Sequence, residues 1–156
     1  MKKIALFPGS FDPITLGHIN ILEKSLRLFD NIIIGIGENE SKKNLLTIEK
    51  RIFLIKKCFD NNSKIEVHKY KGLTIDYCQK NGIKFIIRGI RDTQDFEYEK
   101  KLAFMNEDLN KKITTFFIPC SKKFSGISSS LIQSIIKNNG DYSKFIPLEI
   151  QNEPLI

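Results

Sequence analysis

The sequence predicts an α/β protein, a single Rossmann-like, doubly wound domain built on a five-stranded parallel sheet. Three observations point to it. Short β-branched runs, above all Ile32-Ile33-Ile34-Gly35-Ile36, read as strands covered on both faces, because a half-exposed strand would alternate apolar and polar residues. Stretches with apolar residues at helical spacing separate these runs, and such strand–helix alternation closes into a parallel sheet through right-handed crossovers. The chain has 156 residues, 41% hydrophobic and 28% charged, the make-up of one folded domain over 1–156 that needs no staples.

The elements follow in order. Residues 4–7 form the first strand, stopped by Pro8-Gly9. Over 17–29, Ile19, Leu22, Leu26 and Phe29 line one face of a helix. The isoleucine run is the second strand, and Thr47 then caps a helix whose face is Ile48, Ile52, Ile55 and Phe59. A shorter third strand is expected at 65–67, followed by a helix over 73–80 that ends at Asn81-Gly82, a good left-handed cap. Residues 85–87 make the fourth strand. A long helix comes next, with Tyr98, Leu102, Met105 and Leu109 on one face. Residues 114–118 give the last strand before Pro119. Ser128 or Ser129 caps a helix carrying Leu131, Ile132, Ile135 and Ile136, which stops at Asn138-Asn139-Gly140. From about 145 a short helix or tail is expected, on which the sequence says little.

Composition narrows the function classes. The net charge is +7, yet the lysine pairs at 42–43, 56–57, 100–101, 111–112 and 122–123 are scattered over different elements. A phosphate-tracking stripe needs clustering, so no nucleic-acid partner is expected. Met1-Lys2-Lys3 is followed by only four apolar residues, too few for a signal peptide, and no stretch reaches membrane-spanning length. The expectation is a cytoplasmic protein without a membrane partner. Cys58, Cys78 and Cys120 form no C-x-x-C pair, which argues against a disulfide framework and against zinc and leaves structural thiols. Of 25 basic residues only four are arginine, and two of them stand in Arg88-Gly89-Ile90-Arg91. A guanidinium offers a planar fork that matches phosphate oxygens, which lysine cannot copy. A surface ion pair is the plainer alternative for each.

In open α/β sheets, ligands bind outside the carboxyl ends of the strands, near the switch in strand order. The chemically unusual residues fall at those places. Pro8 to Asp12 follow the first strand, Lys42 the second, Arg88 to Arg91 the fourth, and the segment from Ser121 the fifth. Within Gly9-Ser10-Phe11-Asp12-Pro13-Ile14-Thr15-Leu16-Gly17-His18, a glycine turn leaves a strand and Gly17-His18 opens a helix. Gly17 permits close approach of a ligand. His18, in the first helical turn, sits where free N–H groups and the helix dipole favour an anion and lower an imidazole's pKa. Ser128, Ser129 and Ser130 offer hydroxyls and orphan amides at a second helix start, where a simple cap would need only one of them. Taken alone, Lys42 reads as solvated, Glu99 as a surface acid paired with a lysine, and His68 as a strand-end residue without a partner. There is no nucleophile beside a base, no paired-carboxylate metal site and no G-x-x-x-x-G-K-[ST] loop. That suits a reaction in which two substrates react directly with one another, which needs alignment and charge stabilisation more than covalent help.

The segment G-S-F-D-P-x-T-x-G-H resembles the signature of the nucleotidyltransferases that share an H-x-G-H-type motif with class I aminoacyl-tRNA synthetases. Ser41-Lys42-Lys43, Ile87 to Arg91 with Asp95 to Glu99, and Ile127 to Ser130 extend the resemblance, over roughly 3–147, to the bacterial phosphopantetheine adenylyltransferases. The resemblance implies transfer of AMP from ATP to 4′-phosphopantetheine, giving dephospho-coenzyme A and pyrophosphate. It implies that His18 stabilises the transition state, and that Ser10 contacts both substrates with Phe11 beside the nucleotide. Lys42 and Arg88 would hold the acceptor's phosphate, with Thr74 beside that substrate. Gly89, Ile90, Arg91, Glu99, Phe124, Ser125, Gly126, Ile127, Ser128, Ser129 and Ser130 would bind ATP. Mg²⁺ would be bound mainly through the ATP phosphates, with no protein metal site. A homohexamer and feedback by coenzyme A are further implications. Three positions depart from the commonest pattern: Ser10 for threonine, Phe124 for tryptophan and Thr74 for an aliphatic residue. Nicotinate mononucleotide or glycerol phosphate as acceptor, or a nucleotide-binding module without catalysis, are the rival readings.

Overall fold

The structure, a computed structural model, describes residues 2–38 and 43–155. Its strands are β1 (Ile4–Gly9), β2 (Asn31–Glu38), β3 (Ile65–Lys71), β4 (Phe85–Ile90) and β5 (Thr114–Pro119). Its α-helices are α1 (Leu16–Ser25), α2 (Ile48–Cys58), α3 (Thr74–Lys80), α4 (Thr93–Leu109) and α5 (Ser129–Lys137). The five strands make one sheet in the order β3-β2-β1-β4-β5, and every pairing is parallel. The expected fold is the observed one.

Side chains of alternating strand positions divide between two faces, as the pleat requires. Ala5, Phe7, Ile32, Ile34 and Ile87 join one cluster with Ile21 and Leu22 of α1, Leu54 and Ile55 of α2, and Ile132 and Ile136 of α5. Leu6, Ile33 and Ile86 face the other way, onto Ile75 and Cys78 of α3. The isoleucine run is buried on both sides for this reason. The segment after 145 is more than a tail: Ile146, Ile150 and Leu155 are buried in the first cluster. Lys50 and Lys57 of α2 both pair with Glu153.

Several boundaries differ from expectation. The first helix ends at Ser25 rather than 29; the turn beyond it still buries Phe29. Strand β3 runs on to Lys71, because its polar second half continues in register along Gly35 to Glu38. His68 therefore sits inside a strand and has partners, the Tyr77 hydroxyl at 2.6 Å from Nδ1 and Glu66 at 3.1 Å from Nε2. Arg88 and Gly89 lie within β4, not after it. The helix caps agree: Thr47 accepts from the Lys50 amide, Ser128 caps α5 through the Leu131 amide, and Gly82 has φ +64°.

Helix α4 gives the main correction. Tyr98, Met105 and Leu109 of the apolar stripe are exposed, at about 60% each. The helix instead turns Phe96 and Glu99 inward, Phe96 packing edge-on against Phe117 of β5 at 5.4 Å. The reason is polar: Glu99, the buried residue of this helix, is bound by Arg88 of β4, and that contact sets the helix's rotation.

Ile34, wholly buried in the sheet centre, sets a stability test. Ile34→Ala should cost about 3 kcal/mol in urea denaturation, and Ile4→Ala at the half-exposed strand start under about 1 kcal/mol.

Candidate active site

Strands β1 and β4 pair only at Ala5↔Phe85 and Leu6↔Ile86, at the point where strand order reverses. Beyond Leu6 they part. Pro8, which has no N–H to give a ladder, falls in the parted stretch, and its carbonyl accepts from Arg88 Nη1 at 2.9 Å. The opening is a cleft of about 390 Å³ lined by Phe7 to Phe11, Thr15, Gly17, His18, Arg88, Gly89, Arg91, Asp95, Tyr98, Glu99, Cys120 and Ile127 to Ser130. A more open depression of about 600 Å³ around Lys56, Asn62, Glu66 and His68 gathers none of these residues.

His18 is locked into the start of α1. The Thr15 backbone N–H donates to its Nδ1 at 3.1 Å, while the His18 amide donates to Thr15 Oγ1 at 3.3 Å. This reciprocal cap has imidazole in the place usually held by glutamate. An Nδ1 that accepts from an amide leaves the proton on Nε2, so a neutral ring presents one donor to the cleft. Phe11 packs 4.9 Å from the ring and Phe7 6.2 Å. Burial, then the nearby charges of Arg91 and Arg88, bring the His18 pKa down to about 4.

The two arginines are held differently. Arg88 is forked onto Glu99 through Nε and Nη2 and onto the Pro8 carbonyl through Nη1. A guanidinium has five N–H groups, so two remain for a ligand. Glu99 is thus neither a surface acid nor a partner of lysine. Arg91 forks onto Asp95 at 3.1 and 3.2 Å, which also takes its backbone N–H. The hydrogen bonding of its guanidinium to the Asp95 side chain is the main reason the Arg91 pKa is raised.

At α5 the three serines have separate duties. Ser128 Oγ is the cap, and Ser129 Oγ donates to the Pro13 carbonyl at 2.8 Å. The Ser130 hydroxyl, and the O–H that Ser128 keeps while its oxygen accepts in the cap, remain for a ligand, beside the free amides of the first turn. Phe124, Ser125 and Gly126 form the 3₁₀ turn (Lys122–Phe124) and its exit, and lie outside the cleft lining. Ile90 ends β4, and its carbonyl accepts from the Cys120 amide at 2.7 Å. Thr74 opens α3, its hydroxyl 2.9 Å from that of Tyr70, and does not line this cleft. Lys42 falls outside the described residues.

Other residues escaped the sequence reading. Asp12, 2% exposed, accepts from the Leu45 and Leu46 amides at 2.7 and 2.8 Å and from Gln133 Nε2 at 3.0 Å. Arg51, 4% exposed, donates to the Ser10 carbonyl at 2.8 Å. Asn20 holds the Ser121 amide at 2.9 Å. Arg51 had one visible signal, arginine in a chain that otherwise writes lysine.

Donors suited to phosphate gather at the switch point of a parallel α/β sheet, and the relatives of the chain are nucleotidyltransferases. The family described as Cytidylyltransferase-like matches residues 6–135. A phosphopantetheine adenylyltransferase of Flavobacterium psychrophilum is 48% identical over 147 residues, 94% of this chain and 96% of that protein. One from Cytophaga hutchinsonii is 46% identical over 150 residues, 96% of this chain and all of that protein. The chain belongs to the phosphopantetheine adenylyltransferase family. Among solved structures, a putative nicotinate-nucleotide adenylyltransferase from Vibrio parahaemolyticus shares the fold, with TM-score 0.72 at 21% identity over 99% of this chain and 98% of that one.

The His18 shift fixes a pH signature. With the pKa lowered from 6.5 to about 4, folding favours the neutral ring. Its contribution to stability is complete above about pH 6.5 and drains away as pH falls from there through about 4. Urea denaturation of wild type and His18→Gln should therefore show the wild type losing ground to the variant between pH 7 and 4.5; parallel curves would contradict the assignment.

Proposed function

We infer that this cleft transfers the adenylyl group of ATP to 4′-phosphopantetheine, releasing pyrophosphate and leaving dephospho-coenzyme A. The observation that carries the reading is the meeting of His18, Arg88 and Arg91 at one opening, close enough for both guanidiniums to depress the imidazole's pKa.

In this reading an oxygen of the acceptor's phosphate attacks the α-phosphorus of ATP in line. A new P–O bond forms, the bond to the bridging oxygen breaks, and pyrophosphate departs with its electron pair. The chain's contribution is alignment and charge. Neutral His18 donates from Nε2 to the α-phosphate oxygens as charge grows on them. The two N–H groups that Arg88 has left, together with the Ser130 hydroxyl and the first-turn amides of α5, hold phosphates on either side. Cys120 is the thiol of the cleft, and burial holds its pKa above the usual thiol value, away from the reactive thiolate.

The carboxylates of the cleft, Asp95 and Glu99, are both committed to arginines. Among the described residues no three His, Cys, Asp or Glu side chains gather as a metal site. That donor set fits Mg²⁺ carried in on the ATP phosphates, whose charge it would neutralise, better than a metal caged by the protein.

The acceptor is read from α4. Tyr98 lines the cleft, and the stripe continues from it through half-buried Leu102 to exposed Met105, about 10 Å along the helix. An extended, partly apolar arm behind the reacting phosphate would use that stripe, whereas nicotinate mononucleotide or glycerol phosphate would leave it empty. Lys42 and Thr74 belong to the acceptor side of the same reading. So do feedback by coenzyme A, which carries the same arm, a homohexamer, to be checked by sedimentation, and a cytoplasmic location. No helix among the described residues is long and apolar enough to cross a membrane.

Pyrophosphate release with ATP, magnesium and each acceptor in turn tests the assignment: turnover with 4′-phosphopantetheine is expected, and preference for another acceptor would overturn it. His18→Ala should lower kcat about 10²–10³-fold with the KM for ATP nearly unchanged, since its bond strengthens only in the transition state. Met105→Glu should raise the KM for 4′-phosphopantetheine about tenfold without altering that for ATP; equal effects on both would separate the stripe from the acceptor.

A further inference from the structure

The loop that carries Ser10 and Phe11 is held from behind. Phe11 is buried at 1% exposure with φ +47°, a left-handed backbone that costs a side-chain-bearing residue about 1–2 kcal/mol and persists only where neighbours impose it. The neighbours here are side chains acting on three carbonyls of the loop. Arg51 Nη1 donates to the Ser10 carbonyl at 2.8 Å, Gln133 Nε2 to the Asp12 carbonyl at 2.6 Å, and Ser129 Oγ to the Pro13 carbonyl at 2.8 Å. Arg51 belongs to α2, is almost wholly buried, and does not line the cleft; Ser10 and Phe11 do.

A trans peptide is planar, with its C=O and N–H pointing in opposite directions. Holding the Ser10 carbonyl towards α2 therefore turns the Phe11 N–H the other way. Among the described residues nothing accepts from that N–H.

We propose that Arg51 is a positioning residue for adenylyl transfer: by fixing the Ser10 carbonyl it aims the Phe11 N–H into the cleft as a phosphate donor. The ligand class is an anionic phosphoryl oxygen, on the same side of the cleft as His18, whose ring lies 4.9 Å from that of Phe11 and tilted to it. Lysine could supply the charge but not the rigid fork, whose Nε also reaches the Thr47 carbonyl at 3.4 Å and so ties the loop to the cap of α2. The chain's third notable arginine thereby acquires a reason.

The inference rests on the adenylyl-transfer reading, and the experiment separates the two. Wild type, Arg51→Met and Arg51→Lys are assayed with ATP and 4′-phosphopantetheine, with folding checked by thermal melting. No turnover by the wild type ends the functional reading and this inference with it. Given wild-type turnover, Arg51→Met should lose at least about tenfold in kcat with both KM values within about threefold, and Arg51→Lys should recover part of that loss. Wild-type kcat in a folded Arg51→Met, or a loss spread alike over kcat and both KM values, overturns the positioning role. Should the Arg51 variants not fold, an ester at the Ser10–Phe11 linkage decides: it deletes the N–H and leaves Arg51 in place. A kcat loss of about 10² at unchanged KM upholds the proposal, and undiminished kcat overturns it.

Discussion

The site depends on two strands that stop pairing. β1 and β4 share only two register pairs before they separate, and the gap between them leaves a carbonyl, that of Pro8, without a ladder partner. A buried carbonyl of this kind must find a donor, and Arg88 supplies it. Glu99 then neutralises Arg88, and because Glu99 is on α4, the rotation of that helix follows. The ion pair is not strong evidence of stability, since two charges have been drawn out of water to make it. Its effect is spatial: it keeps a guanidinium at the mouth of the sheet with donors to spare.

Around that opening, the catalytic loop is shaped mostly by groups that never face the ligand. Asp12 gathers the Leu45 and Leu46 amides and Gln133, so the loop after β1, the loop before α2 and the helix α5 meet on one carboxylate. Segments far apart in sequence thus share one anchor, and a left-handed Phe11 is tolerated inside it. Preorganised donors cost no rearrangement when charge develops, which is the usual source of rate in phosphoryl-type transfers.

Much of this was legible in the sequence. Two-faced isoleucine runs give the sheet, and the rule that ligands sit beyond strand ends pointed to Pro8 to Asp12, Lys42, Arg88 to Arg91 and the segment from Ser121. Of these, Pro8 to Phe11, Arg88, Gly89, Arg91 and Ile127 to Ser130 line one cleft, and Lys42 lies outside the described residues. What escaped was of two kinds. Periodicity marks an apolar stripe on α4 but cannot say that a single buried carboxylate will outrank it and set the helix's rotation. Nor does local sequence reveal long-range ties to backbone carbonyls, such as Arg51 to Ser10 or Gln133 to Asp12, because the acceptor has no side chain to read. The serine triplet lines the cleft as expected, but sequence alone does not show that Ser128 caps α5 or that Ser129 donates to the Pro13 carbonyl.

The reciprocal bond between Thr15 and His18 has a wider implication. One imidazole both caps the first helix and lines the cleft, so architecture and site share the same atom pair. The ring is already oriented and neutral, its single proton left on Nε2, without an accessory carboxylate to arrange it. Any replacement at this position must answer for both duties at once, which narrows the variation the site can explore.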